Sequence, residues 1–350
     1  MNAVVSLMSS RRVRVLIVVA VIFSLAVPLM IGGRESMIQI RNLPANTYLA
    51  LFSIIAVSWL ARAAKLHLLM ARLGSRATFP QSFARSLLID FAFITTPGGV
   101  GGYAASVYCG RRAGLSASGA TTLTFIDQLL DLAFFSLAVP IAALSLVFTD
   151  VSRTLSILAF GSSVLTLVLV AIALIMHHRF LRWLYSDNVF IRRWPRLKDK
   201  QHVVREFIDN VKRDVVLVAS GAPAATAAVI AMTCAQWITR YGVLWAAFVL
   251  IGHAVPFALT LLSQALVLHA VMWTGVPAGG GGAELGLSAA LIAMVPSSII
   301  ATALILWRLT TFHLCLVAGL AATAWLAKWG KGEEEVGLPV LVSDPKRSGS

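Results

Sequence analysis

A chain of 350 residues that is 58% hydrophobic and 13% charged, with a mean hydropathy of +0.84, holds more apolar side chain than a soluble core can bury. Soluble domains are about half apolar and a quarter charged, and these figures also exclude disorder, collagen and coiled coil. What remains is an all-α polytopic membrane protein, whose net charge of +14 reads as Lys/Arg-rich cytoplasmic loops facing anionic headgroups rather than as a nucleic-acid surface.

A span needs roughly 20 mostly apolar residues. The first stretch, Val13 to Ile31, follows Arg11, Arg12 and Arg14. It lacks a small-x-small cleavage site, so it is expected to be retained with its N-terminus in the cytoplasm. Thr47 to Met70 follows, with Arg62, Lys65, His67 and Arg72 placed near or beyond the cytoplasmic interface, within snorkelling reach of it. Phe79 to Thr96 is short, contains Arg85 and Asp90, and stops at Pro97-Gly-Gly-Val-Gly-Gly. Ser116 to Phe148 and Thr154 to Met176 are long enough to span. The stretch 177–214, with ten Lys/Arg against five Asp/Glu, reads as a cytoplasmic loop with a surface-lying amphipathic part around His202 to Val216. Ala222 to Ile251, Val255 to Trp273, Leu287 to Trp307 and Leu309 to Lys328 complete the apolar segments, and 329–350 is expected to be a disordered tail.

Pro97-Gly-Gly-Val-Gly-Gly and Pro277-Ala-Gly-Gly-Gly-Gly lie 180 residues apart, and that offset sets Gly99, Gly101 and Gly102 on Gly279, Gly281 and Gly282, and Gln128 on Arg308. Broken backbone at membrane depth is costly unless it lines protein or water, and matched Gly/Pro interruptions in two halves point to a transporter's binding site. The expected architecture is about 6–8 transmembrane helices with two re-entrant segments in an internal, inverted repeat. The halves cover about 47–176 and 222–328, within a single membrane domain over 1–328. The alternative is that both glycine runs are interfacial loops. Neither is followed by Gly-Lys-Ser/Thr, so no nucleotide loop is read here.

Acids are scarce in the apolar segments. Only Asp90, Asp127 and Asp131 lie between Glu35 and Asp150, and only Glu284 between Asp214 and Glu333. Intramembrane charges are functional candidates by default. Asp127 and Asp131, four apart, share a helix face. They form either an acidic patch for a cationic headgroup or a proton, or an ion pair with Arg85, Arg62 or Arg308. Glu284 opens a helix just after the second glycine run, where capping and function are both open. Arg308, if buried, needs an anion, which Glu284 or a lipid phosphate would supply; in a loop it is only a topology signal. Arg240 carries the same two readings. Asp90 and Arg85 could pair across the first broken segment. The lone histidines His253, His269 and His313 and the separated cysteines Cys109, Cys234 and Cys315 show no metal or disulfide spacing, so neither metal nor cofactor is expected.

At these residues the sequence resembles the lysylphosphatidylglycerol synthase transmembrane-region family of flippase-like membrane proteins, over roughly residues 10 to 328. The second half is similar to that family's Pro-Gly-Gly-x-Gly-x-x-Glu, here Pro277 through Glu284, followed by an apolar helix with Arg308. The first half carries Pro97, the stretch Arg111-Arg112-Ala-Gly-Leu115, and Asp127-Gln128-Leu-Leu-Asp131, with Gln128 where the family has Arg. The resemblance implies a non-enzymatic lipid translocase of a bacterial inner membrane. Its partner would be a phospholipid or other polar-headed lipid, bound by Asp127, Asp131, Glu284, Arg308 and the broken turns at Pro97, Gly99, Gly101, Pro277, Gly279 and Gly281. Asp90, Arg85 and Arg240 are further candidates. Aminoacyl transfer is not expected, because the soluble synthase domain is absent. Alternatives are an accessory subunit of an aminoacyl-lipid, hopanoid or polyprenyl-sugar pathway, partnered with a biosynthetic enzyme, or a membrane-embedded lipid transferase. A homo-oligomer is open.

Overall fold

The computed structural model describes residues 11–147, 160, 161, 164, 168, 172 and 195–335, and among these every regular element is helical. The expected span Thr154–Met176 falls almost entirely outside them, and so does 336–350.

Helix α1 (Arg11–Asn42) continues well beyond the expected Ile31 and bends at Gly33, whose φ of 57° only glycine adopts readily. Helix α2 (Ala45–Arg72) follows. A capping box, in which the Thr78 N–H donates to Gln81 Oε1 at 3.1 Å, then starts α3 (Phe79–Thr95). The chain turns through Pro97–Gly99 into α4 (Val100–Arg112), a return arm not anticipated from the sequence, and α5 (Ala117–Val147). Helix α6 (Pro195–Ala219) covers the expected amphipathic stretch and meets α7 (Pro223–Leu250) at 97°. Arg72 holds that corner, donating to Val218 O at 2.7 Å and Ala222 O at 3.2 Å. Helix α8 (Phe257–Met272) leads through the turn Pro277–Gly279 into the short α9 (Gly282–Leu291).

The final segments differ from expectation. Leu287–Trp307 is not one span, because the chain breaks before Pro296. Helix α10 (Ser297–Arg308) then passes through a π-turn, Leu309–His313, into α11 (Leu314–Glu335) without a loop. The first residues of the expected tail are thus helical. Among the described residues, four helices are long and apolar enough to cross a membrane: Val15–Asn42, Ala45–Arg72, Ala117–Leu146 and the composite Ser297–Lys328. The pair Glu206–Ala219 and Pro223–Leu250, bent by 97°, makes a fifth if it counts as one span.

The 180-residue step carries the elements as well as the glycines. It lays α2 on α7, α3 on α8, α4 on α9 and α5 on α10–α11, each within a few residues. It also sets Gly98 (φ 61°, ψ 12°) on Ala278 (φ 50°, ψ 16°), so both turns use the same left-handed conformation. The equivalent helices α2 and α7 pack on each other, while each hairpin lies against the closing helix of the other half, α3 on α11 and α8 on α5. The two turns touch.

Small residues set these distances. A Cβ on Gly32 would stand 2.3 Å from Ala301 Cβ, and one on Gly319 would stand 2.3 Å from Phe91 Cβ. Glycine therefore lets α10 approach α1 and α11 approach α3, as expected where association rests on close packing rather than on the hydrophobic effect.

Candidate functional site

Two buried sets of charged side chains occupy the helix interfaces. In the larger, α2 presents Arg62 and Lys65, α3 presents Asp90, α5 presents Asp127 and Asp131, and α7 presents Trp237 and Arg240. Arg62 reaches Asp90 at 2.9 Å and Asp127 at 3.5 Å, and Lys65 reaches Asp127 at 2.6 Å and Asp131 at 2.9 Å. Arg240 reaches the second oxygen of Asp90 at 2.8 Å, and Trp237 Nε1 donates to Asp131 at 2.8 Å. Because Trp237 and Arg240 are one turn apart on α7, these contacts close into a ring through four helices. Three cations meet three carboxylates, so the ring is neutral, as low-dielectric surroundings demand. Cys315 of α11 sits beside Arg240 and is fully buried.

The ring corrects several sequence expectations. Arg62 and Lys65 do not snorkel outward: Lys65 has 0% exposure and Arg62 5%, and both point into the packed interior. Asp127 and Asp131 are held by ion pairs, with Arg62 among their partners and Arg85 and Arg308 not. Asp90 does not pair with Arg85, since its two oxygens go to Arg62 and Arg240. Arg85 instead donates to Arg112 O at 3.5 Å near the base of the first hairpin. Sequence reasoning missed Lys65 and Trp237 as members. The available signal was charge balance, because three acids in one apolar half require three buried cations, and Lys65 follows Arg62 by one helical turn.

The second set lies at the other broken turn. Arg308, 3% exposed, is inside a continuous helix and not in a loop. Its Nε donates a very short bond to Glu284 Oε1, and its Nη2 donates to Ala278 O of the Pro277–Gly279 turn at 3.2 Å. The guanidinium lies 4.5 Å from the Trp307 ring centroid and 5.6 Å from that of Phe312. His313, at the end of the π-turn, places Nδ1 3.0 Å from Arg308 O and Nε2 3.3 Å from Ser24 Oγ of α1. Glu284 is fully buried and Ser288 5% exposed; among the described residues neither Glu284 Oε2 nor Ser288 Oγ has a hydrogen-bond partner. The π-turn itself rests against α2 and α7, the helices that carry half of the ring. Such turns recur at functional sites.

The turns pack tightly. Gly99 and Gly279 are buried, Pro277 is buried and Pro97 exposed. The Gly99 N–H donates to Thr96 O and the Gly101 N–H to Thr96 Oγ1, while the Gly279 N–H donates to Val276 O. Those amides are satisfied within the turns. A Cβ on Gly281 would touch Phe23 of α1 at 3.4 Å.

The backbone repeats but the charges do not. At the 180-residue step Glu284 and Arg308 fall on Ala104 and Gln128, so the pair is replaced as a unit. Arg62, Lys65, Asp90, Asp127 and Asp131 fall on Gly242, Trp245, Ala270, Trp307 and Thr311. The acids of the ring thus belong to the first half alone and the Glu284–Arg308 pair to the second.

Comparison with known proteins gives the family. The profile of the lysylphosphatidylglycerol synthase transmembrane region matches residues 14–319. The chain belongs to that family. It is also similar to a UPF0104 membrane protein of Archaeoglobus fulgidus, 21% identical over 264 residues that cover 73% of this chain and 79% of the relative. In this family member Glu284 and Arg308 pair in the buried interior beside the Pro277–Gly279 turn, while Gln128 stands where the first half has no such pair.

Proposed function

We propose that this protein moves a polar-headed lipid between membrane leaflets, with the headgroup's phosphate meeting Arg308 at the junction of the two broken turns. The observation that supports the reading is the contact between those turns at a point where one of them is held by a buried arginine. A guanidinium is the best-suited side chain for a phosphate diester.

Charge placement supports an inverted arrangement. The corner and base of the first hairpin carry Arg72, Arg76, Arg111 and Arg112, whereas 252–256 and 292–296, the base of the second, have no Lys or Arg. By the positive-inside rule the hairpins enter from opposite faces and both termini face the cytoplasm of a bacterial inner membrane. Hairpins entering from opposite sides around one site are the geometry of alternating access. The ring acts as the lock between α7 and the first half, with Asp127 and Asp131 as structural partners of Lys65.

The test is leaflet exchange of a fluorescent phospholipid in proteoliposomes. The protein accelerates exchange, while Arg308→Ala and Glu284→Gln, both folded, reduce it at least tenfold. Exchange no faster than in protein-free vesicles, or a fully active Arg308→Ala, would overturn the proposal.

A further inference from the structure

The Glu284–Arg308 pair is neutral and completely buried. An anionic headgroup that docks on Arg308 must compete with Glu284 for the same guanidinium, and both anions together leave the site with one uncompensated negative charge. Burying such a charge is expensive, and a buried carboxyl responds by binding a proton. Two features of the geometry leave Glu284 room for one. Only one of its oxygens is bonded, and that by a single arginine nitrogen, while Oε2 lies without a donor at zero exposure. One turn later on the same face of α9, Ser288 Oγ is also buried and unpartnered, an acceptor for the O–H of a protonated Glu284.

We infer that Glu284 takes up one proton for each anionic phosphodiester that binds Arg308, so that headgroup and proton enter the site together. The proton goes from water to Glu284, the carboxylate becomes a neutral acid directed at Ser288, and Arg308, still a cation, exchanges its carboxylate partner for the phosphate. The site is neutral before and after. The inference rests on the reading of Arg308 as the headgroup contact.

Glu284 faces no other charged group at hydrogen-bonding distance among the described residues. Helix α10 contributes Arg308. Along the glycines that flank it, α1 places Ala20 against Gly280 and Phe23 against Gly281, and α8 places Val271 against Gly282 and Val267 against Gly286. His313 on the π-turn holds Arg308 O at 3.0 Å through Nδ1. His269 of α8 is turned away, packing on Phe135 of α5 at 5.5 Å. His313 is therefore the one competing proton acceptor that a test must separate.

The experiment is calorimetric titration of the purified full-length protein in nanodiscs, in buffers of different ionisation heat. The probes are dimethyl phosphate and dihexanoyl phosphatidylglycerol, both diesters that stay singly charged. Expected is uptake of about one proton per anion, with affinity falling about tenfold per pH unit while the free Glu284 is ionised. Glu284→Gln, which keeps the side-chain shape and is permanently neutral, binds with no proton uptake and no pH dependence. His313→Gln retains the uptake. Binding of the lipid alone identifies a headgroup attached to chains, and binding of both probes identifies any phosphodiester; proton uptake abolished by Glu284→Gln supports the inference in either case. Arg308-dependent binding without proton uptake, or uptake that survives Glu284→Gln, overturns the inference alone. Binding that ignores Arg308→Ala overturns the headgroup reading itself.

Discussion

Lys65 has no exposed surface, so its ammonium depends entirely on Asp127 and Asp131, at 2.6 and 2.9 Å. Removing a partner from a buried pair is costly less for the lost attraction than for the charge left behind, and costs about 3–5 kcal/mol. Lys65→Met is accordingly expected to destabilise the protein by about 3 kcal/mol, read as a lower denaturation midpoint in detergent. Combining it with Asp127→Asn should recover part of that loss, because the orphaned carboxylate disappears with the lysine. Equal stability of Lys65→Met and the parent would show that the ring does not hold the helices. Arg308 is the counterpart in the second half, but its partner keeps one oxygen unbonded. The two centres therefore differ in kind: one is a network of three cations and three carboxylates, the other a single pair with a fully buried, unbonded carboxylate oxygen.

Among the elements, the turns at Pro97–Gly99 and Pro277–Gly279 share a conformation although their residues differ. Ala278 sits at φ 50°, where Gly98 occupies the equivalent position. A left-handed conformation costs an alanine about 1 kcal/mol relative to glycine. Ala278→Gly should therefore raise the thermal midpoint while leaving the Arg308 bond to the residue-278 carbonyl intact. A fall in the midpoint would mean that the Ala278 methyl contributes packing that outweighs its strain. The π-turn after Arg308 works in a related way. By opening one helical turn against α2 and α7 it lets His313 reach both Arg308 O and Ser24 of α1 without breaking the span Ser297–Lys328.

At the scale of the whole molecule, the ring is where the second half grips the first. Arg240 and Trp237 of α7 are its members from the second half, and they close it onto α3 and α5. Cys315, fully buried beside Arg240, is a built-in reporter of that grip. With Cys109 and Cys234 replaced by serine, Cys315 should resist a polar maleimide, and Arg240→Ala should raise its labelling rate at least tenfold. An unchanged rate would indicate that the halves stay closed without the ring, and that movement during transport occurs elsewhere.

The sequence alone determined the membrane class, because 58% hydrophobic residues cannot be hidden in a soluble core, and it determined the repeat, because turns that need left-handed backbone leave glycine and proline at fixed spacing. It also singled out Glu284 and Arg308, since isolated charges in apolar runs are costly enough to be conspicuous. It did not reveal α4 as a return arm, the junction of α10 and α11 through Arg308, or the partners of Asp90 and Asp127. Those depend on which helices cross. The partners lie dozens to well over a hundred residues apart, and a pattern along one helix shows which face is polar but not what it meets. Lys65 illustrates the limit: three residues after Arg62 near the end of an apolar helix, it looks like a snorkelling lysine, and only the packing of α5 and α7 over it makes it the centre of the ring.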